Sequence, residues 1–366
     1  MKSSRIACVR GLRMRLPFDH WSKPPLFGGR PRTTLDSVLI RLELDNGLVG
    51  WGEAYAGEME STLSMLDSRI APLTLGQDAR DEGLVERLER TLHNLGRSGP
   101  LLHALSGVDI ALWDLRAKLE GVPLYELLGG AKRTRIRAYG SLLQYYGNVD
   151  DVRRNVERTV RAGFSQVKLH ERTLEAVKAA REVVGSAMPL MVDTNCAWTQ
   201  AEAIREIREL ASCQPLWIEE PIWPPEDHHA LQRVKAATGV ALAAGENATS
   251  RSEFAHLLKT GAVDYLQPSA IKSGGVTILR DVSRACMGTS TRFSPQSAFF
   301  GPGFLATLHV LAAHATDVVV ERIYCGLAFV PYAATVPIED GAYTLTDAPG
   351  LGAELEQALF DSGFVG

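Results

Sequence analysis

The sequence predicts an α/β protein: a modified (β/α)8 TIM barrel with an N-terminal α+β capping domain. Three observations carry this. From residue 135 onward, short apolar segments alternate with amphipathic helical stretches, eight times over. Before residue 125 the pattern is instead a strand meander followed by helical spacing. Three consecutive apolar segments of the later region end in a carboxylate, as Met191-Val192-Asp193, Trp217-Ile218-Glu219 and Ala243-Ala244-Gly245-Glu246.

The meander is read from residues 36–44, which are rich in β-branched and aliphatic side chains, the turn Asp45-Asn46-Gly47, and the segment Leu48-Val49-Gly50-Trp51-Gly52-Glu53. Asn-Gly between two such runs is a hairpin signal, because both turn residues tolerate positive φ. Helical spacing follows at residues 60–70, 80–95 and 101–120, where Leu105, Val108, Leu112 and Leu115 share one face. The eight barrel strands are expected at 136–139, 166–170, 189–193, 216–219, 240–246, 263–267, 291–294 and 318–322. Most start about 25–30 residues apart, as strand, loop, helix and return loop require. A dinucleotide-binding sheet would need Gly-x-Gly-x-x-Gly after its first strand, and none follows Tyr139. The expected division is 1–125 for the cap, 126–330 for the barrel, and 331–366 for a segment packing back toward the cap and ending in a helix-like stretch, 353–360.

Composition narrows the partners. A net charge of −4 with no long basic block leaves no electrostatic footprint for nucleic acid or an anionic membrane, so a small molecule is favoured. The longest apolar run, 304–315, is broken by His309 and His314 and is too short to span a bilayer. His309 itself lies at helical spacing and reads as a packed helix residue. The start, Met1-Lys2-Ser3-Ser4-Arg5, leads into a stretch interrupted by Arg10, Arg13 and Arg15 and lacks a signal-peptide core. Cys8, Cys196, Cys213, Cys286 and Cys325 are scattered, odd in number and without a Cys-x-x-Cys pair, which fits a reducing cytoplasm.

In a parallel barrel the C-terminal ends of the strands converge on one mouth, so Asp193, Glu219 and Glu246 are expected together there, with Glu220 beside them. Carboxylates gathered in register repel one another unless a cation joins them, and hard oxygens with open positions suit Mg²⁺. On the second strand, Val167-Lys168-Leu169-His170 places Lys168 and His170 on one side. Such a pair suits proton transfer: the ammonium disfavours protonated His170, and His170 is expected to depress Lys168 toward the working pH. Asn195 and Asn247 follow the carboxylates closely, and Lys272 precedes Gly274-Gly275. Turn formation and support of the carboxylates compete at both asparagines. Solvation competes with a carboxylate contact at Lys272. The Gly274-Gly275-Val276 stretch could cradle a phosphate at a helix N-terminus, a weak signal.

These residues resemble the mandelate racemase/muconate lactonizing branch of the enolase superfamily over essentially the whole chain. The likeness rests on Asp45-Asn46-Gly47 with Gly50-Trp51-Gly52-Glu53, on Ser106-Gly107-Val108-Asp109-Ile110-Ala111-Leu112-Trp113-Asp114, and on Leu127-Leu128-Gly129-Gly130. Further on it rests on Val167-Lys168-Leu169-His170, Asp193-Thr194-Asn195, Glu219-Glu220-Pro221, Gly245-Glu246-Asn247, and Gln267-Pro268-Ser269 with Lys272-Ser273-Gly274-Gly275. The resemblance implies Mg²⁺ held by Asp193, Glu219 and Glu246, with the metal binding a substrate carboxylate and stabilising the enediolate left by proton loss. It implies acid/base roles for Lys168 and His170, with His170 where the motif has its second lysine. Glu321 takes the place of the strand-8 acid that touches the substrate carboxylate. A homo-oligomer acting on a small carboxylate is the expected assembly.

Two departures shape the expected reaction. Ser269 stands where racemase-like members carry aspartate, and Gln296 where they carry histidine. Glutamine moves no proton at neutral pH, whereas racemisation needs proton transfer on both faces of the carbon. Dehydration of a sugar acid, an aldonate or aldarate, by syn β-elimination is therefore favoured. The alternatives are racemase, epimerase or cycloisomerase chemistry, and a member that binds acid sugars without turning them over. Specificity is expected from the loops 18–23, where His20 and Lys23 are candidates for a polyol or second carboxylate or are solvated, and 55–58.

Overall fold

The computed structural model describes residues 3–366, so the reading of Met1 and Lys2 lies outside the described residues. The N-terminal part is an antiparallel sheet of β1 (Ile6–Asp19), β4 (Thr34–Leu44) and β5 (Val49–Tyr55), with a small hairpin of β2 (Leu26–Phe27) and β3 (Arg30–Pro31) inserted after β1. Val38, Ile40 and Leu42 of β4 pack on Leu105, Val108, Leu112 and Leu115 of the helix Pro100–Glu120. The apolar spacing seen in the sequence is the face that makes this core. The contact is unusually close: a Cβ on Gly52 would lie 1.8 Å from the Gly107 carbonyl oxygen. Only glycine on both elements allows that approach. The helices at Met59–Met65 and Leu84–Leu92 complete this layer.

The barrel strands are β6 (Arg135–Ser141), β7 (Val167–Leu169), β8 (Leu190–Asp193), β9 (Ile218–Glu219), β10 (Leu242–Ala244), β11 (Tyr265–Leu266), β12 (Arg292–Phe293) and β13 (Val320–Ile323). All eight fall where the sequence put them, though most are shorter. The chain leaves the ladder at the mouth, where Asn195 (φ 47°), Glu220 (φ 42°) and Gly245 (φ 132°) turn it into the loops. Neighbours pair in parallel from β6 to β12, and β13 returns to pair with β6. Among the described residues no ladder joins β12 to β13. Ser297 stitches that seam, its hydroxyl donating to the Glu321 carbonyl (2.9 Å) and its N–H to Glu321 Oε2 (3.1 Å). A helix follows each of the first seven strands; after β13 the chain instead adds β14 (Gly326–Leu327) to the edge of β1 in the cap.

Residues 331–366 form the hairpin β15 (Ile338–Glu339) and β16 (Ala342–Thr344), which pairs with β6, and then run to the cap, where Val365 bridges Met14. The helix there is shorter than the expected 353–360, at Gln357–Asp361, and Phe360 packs on Trp51. The strand β1 was not anticipated. Its residues Met14 and Leu16 are buried while Arg13 and Arg15 face out, so the arginines that excluded a signal peptide also mark a half-buried strand. No helix among the described residues is long and apolar enough to cross a membrane.

Cap and barrel are tied by buried polar groups of the helix Pro100–Glu120. Ser106 Oγ accepts the Gly274 N–H (2.8 Å), and Asp109 accepts the N–H (3.0 Å) and hydroxyl (2.6 Å) of Thr277. The anion at the N-terminus of the helix Gly275–Cys286 is thus the protein's own Asp109, and a Cβ on Gly275 would lie 2.2 Å from its Oδ2. The phosphate reading of Gly274-Gly275 is corrected: the place is filled. His309 is a packed helix residue, fully buried, with Nδ1 accepting the Tyr125 N–H.

Glu53 makes a second tie, accepting the Gly303 N–H (3.0 Å) at the start of the helix Pro302–Ala313. Burial pushes its pKa from 4.5 up to about 7, against the pull of Ser37 and the N–H groups of Gly303, Gly301 and Phe304. Between those two values the folded state holds a proton the unfolded state has lost, so stability falls as pH rises through this window. Glu53→Gln is expected to remove that slope, which is worth about 3 kcal/mol above neutrality. Denaturant unfolding of both proteins at pH 5 and pH 8 reads it; parallel losses in the two would assign the slope elsewhere.

Candidate active site

The barrel interior is plugged by Tyr139, Met191, Trp217, Ala243 and Tyr265. Two residues further along their strands stand Ser141, Asp193, Glu219, Gly245 and Gln267, and strand alternation turns these into the same interior. A polar layer therefore lies directly on an apolar one. Above it opens a cavity of about 520 Å³, walled by Lys168, His170, Asp193, Asn195, Glu220, Glu246, Asn247, Lys272, Gln296 and Glu321 from the barrel and by Phe27, Arg32 and Tyr55 from the cap.

Lys168 is the hub. Its Nζ lies 2.8 Å from Glu219 Oε1, 2.8 Å from Glu321 Oε1 and 3.4 Å from Asp193 Oδ2, and the side chain is fully buried. Burial disfavours its charge, but Glu219, Glu321 and Asp193 outweigh that and hold its pKa well above the ordinary lysine value. The expectation that His170 depresses Lys168 toward neutrality is overturned: three carboxylates outweigh one imidazole. In this arrangement its carboxylate neighbours hold Lys168 as an ammonium, a balance that a cation on Asp193 and Glu219 would shift. His170 stands beside it with Nε2 at 3.2 Å from Asp193 Oδ2 and Nδ1 at 2.6 Å from the Leu142 carbonyl oxygen. Burial lowers its proton affinity and Asp193 raises it more, so the net shift is upward despite Lys168.

The carboxylates divide into two groups. Asp193 takes the Asn195 N–H and side-chain amide on Oδ1, both at 2.9 Å. Glu219 is fully buried behind the cavity wall, with Oε2 accepting from Trp217 Nε1 (3.0 Å) and Gln267 Nε2 (2.8 Å). On the cavity side, Glu246 meets Lys272 (3.1 Å), and Glu220 accepts from the Asn247 amide (2.9 and 3.0 Å). Burial raises the Glu220 pKa well above normal, and Glu246, Asp193 and Glu219 raise it further.

Asp193, Glu219 and Glu246 are thus brought to one mouth, but they are not gathered at ligating geometry: among the described residues no three His, Cys, Asp or Glu side chains stand as a metal-holding group. Lysines fill the gaps, Lys168 between Asp193 and Glu219 and Lys272 at Glu246. The donor chemistry still fits a hard divalent cation. Five carboxylates face two ammonium groups and one imidazole, and the mutual repulsion recorded at Glu220 is what a bound cation relieves.

Ser269 and Gln296, expected as neighbours on the far side, form a parallel bridge to each other. Ser269 is fully buried off the cavity wall, whereas Gln296 reaches it. Asn195, Asn247 and Lys272 all contact the carboxylates. His20 is corrected, whereas Lys23 is exposed and off the cavity wall, as its solvated alternative has it. His20 is buried and stacked on Tyr145, neither solvated nor on the cavity wall, and Lys23 lies over the Tyr146 ring. The cap reaches the cavity through Tyr55 and through residues 25–32, a hairpin whose turn Gly28-Gly29 is a signal in the sequence. Gln267 and Trp217, which hold Glu219, were legible from strand parity alone.

Two family models match. Residues 20–129 match the N-terminal domain of mandelate racemase/muconate lactonizing enzymes, and residues 151–359 match the enolase C-terminal domain-like model. The chain belongs to the mandelate racemase/muconate lactonizing family of the enolase superfamily. Within it, the D-galactarolactone cycloisomerase of Agrobacterium fabrum is 34% identical over 339 residues, which is 87% of this chain and 89% of that protein. A D-galactonate dehydratase of Verminephrobacter eiseniae is 30% identical over 350 residues, 88% and 89% of the two. A mandelate racemase/muconate lactonizing protein of Paracoccus denitrificans, solved in complex with magnesium, superposes with a TM-score of 0.81 at 30% identity, covering 98% of this chain and 97% of that one.

Proposed function

We propose that this enzyme is Mg²⁺-dependent, removes the proton next to the carboxylate of a sugar acid, and dehydrates an aldonate or aldarate by syn β-elimination through an enediolate. One feature carries the choice of reaction: Lys168 and His170 stand at β7, whereas Ser269 and Gln296 bridge the segments after β11 and β12, about half-way round the ladder, and Gln296 reaches the cavity wall. Proton removal and delivery to the leaving oxygen from one face suit elimination, and Gln296 offers hydrogen bonds but no proton.

His170 is the base. Its Nδ1 donates to the Leu142 carbonyl, so Nε2, which faces Asp193 Oδ2 at 3.2 Å, is the nitrogen that would exchange a proton with the substrate once Asp193 turns to a bound cation. Lys168 brings an ammonium to the strand ends where the carboxylate and developing enolate oxygens would gather, and its low-dielectric surroundings strengthen that charge's effect. Glu321, held by the Ser297 N–H, fixes Lys168. Asp193, Glu219 and Glu246 would hold Mg²⁺, which when bound supplies Lewis-acid stabilisation of the substrate carboxylate and enediolate. Asn195 orients Asp193, while Asn247 and Lys272 set Glu220 and Glu246.

The higher identity to a cycloisomerase supports a second reading. The same proton abstraction, with the leaving oxygen tethered in a ring, isomerises instead of releasing water. The chain is read as a cap of residues 1–125, a catalytic barrel of 126–330 and a closing segment 331–366, working in the cytoplasm as a homo-oligomer. Five free cysteines support the reducing compartment, and light scattering checks the mass.

The test is a sugar-acid library with Mg²⁺ in D2O. Formation of a 2-keto acid supports dehydration, isomer without loss of water supports the cycloisomerase, and no exchange or product with any acid rejects both. EDTA is expected to abolish turnover and Mg²⁺ to restore it.

A further inference from the structure

Four basic side chains wall the cavity, and three are answered by acids. Lys168 meets Glu219 and Glu321, His170 meets Asp193, and Lys272 meets Glu246. Arg32 has no carboxylate within 4.0 Å among the described residues, although it lines the same cavity. It is nonetheless well placed. Its backbone N–H donates to Pro25 (2.8 Å), its Nε donates to the Thr34 carbonyl (3.2 Å), and its guanidinium lies 4.7 Å over the Phe27 ring. The two Nη groups have no protein acceptor among the described residues. Burial lowers the pKa of this side chain against the distant pull of Tyr55 and Asp36. A partly desolvated guanidinium with its outer nitrogens free is a fork for a carboxylate, and such paired contacts are charge-assisted and directional.

Its position says which carboxylate. The reacting end of a substrate belongs at the strand ends, beside Lys168, His170 and Asp193, whereas Arg32 hangs from the cap at the end of the β2–β3 hairpin. An acid with its first carboxylate at the barrel leaves Arg32 facing its far end. We propose that Arg32 reads a second carboxylate there, so that the enzyme prefers dicarboxylic sugar acids to their monocarboxylic counterparts. This rests on the sugar-acid reading above and deepens it.

The experiment compares pairs that differ only at the far carbon, galactarate with galactonate and glucarate with gluconate, by calorimetric binding to the Mg²⁺-loaded protein and by C2 proton exchange in D2O. Wild type is expected to bind the diacid of at least one pair about 10- to 100-fold more tightly than its monoacid, with that ratio falling toward one in Arg32→Gln and partly recovering in Arg32→Lys. Thermal unfolding confirms that the variants are folded. Equal binding within every pair by wild type, no binding of any acid, or a ratio that survives Arg32→Gln overturns the assignment. The last result would mean that Arg32 serves only the cap, through Thr34 and Phe27. Diacid preference lost in Arg32→Gln without C2 exchange in any protein leaves Arg32 as the anion reader and rejects the enolate chemistry instead, so the two failures are separable.

Discussion

Replacing His170 by asparagine is expected to lower kcat by about 10²- to 10⁴-fold, the usual worth of a positioned acid/base, with substrate KM changed by less than about threefold. Asparagine can still donate to the Leu142 carbonyl, so the loop after β6 keeps its anchor while the exchangeable Nε2 is gone. The loss should appear equally in C2 deuterium exchange and in product formation, because both begin with the same proton removal. A variant that exchanged C2 at the wild-type rate while failing to make product would move the base elsewhere and leave His170 with delivery to the leaving group. Gln296 supplies the control from the opposite side. Gln296→Ala removes a hydrogen-bonding wall but no proton carrier, so its loss should fall mainly on KM.

What the sequence disclosed follows from the range of each interaction. Strand ends were legible because the pattern is local: an apolar run of Met191 and Val192 ending in Asp193 announces both the strand and the group it presents. The glycines of Gly50-Trp51-Gly52-Glu53 and the acids of the Ser106–Asp114 stretch were visible as a motif. Their reason is tertiary, a helix pressed on a strand and a carboxylate inserted at another helix's N-terminus. The charge on Lys168 departs from the sequence expectation for a related cause. Its sequence neighbour is His170, but the groups that decide its protonation, Glu219 and Glu321, arrive from β9 and β13. His20 and Arg32 show the same limit in the cap. Both sit near the hairpin, and only the path of β1 decides that the histidine turns into the packing while the arginine reaches the cavity. The metal-site carboxylates lie between these cases. Their convergence was legible, and the lysines that stand among them were not.

The second large effect is expected at that hub. Lys168→Met leaves Asp193, Glu219 and Glu321 buried around an uncharged side chain of similar length, and breaking a buried ion cluster from one side costs about 3–5 kcal/mol. The variant should therefore unfold at markedly lower denaturant concentration, besides losing turnover. The pH dependence identifies the cause. Burial already lifts Glu219 to about 8 against the pull of Lys168, and without the ammonium Glu219 and Glu321 both gain proton affinity, so the folded variant retains protons that the unfolded chain releases. The deficit against wild type must then widen as pH rises from about 5 to 8. Lys168→Arg keeps the charge and should recover much of the stability, yet the wider fork cannot reproduce contacts made by a single nitrogen, so turnover should stay low. A methionine variant with wild-type stability at pH 8 would show that the three carboxylates do not depend on Lys168 for their burial. Divalent ion adds the final discriminant. If Asp193, Glu219 and Glu246 hold Mg²⁺, adding it should return more stability to Lys168→Met than to wild type, because the variant has lost the cation that stood in the same negative field.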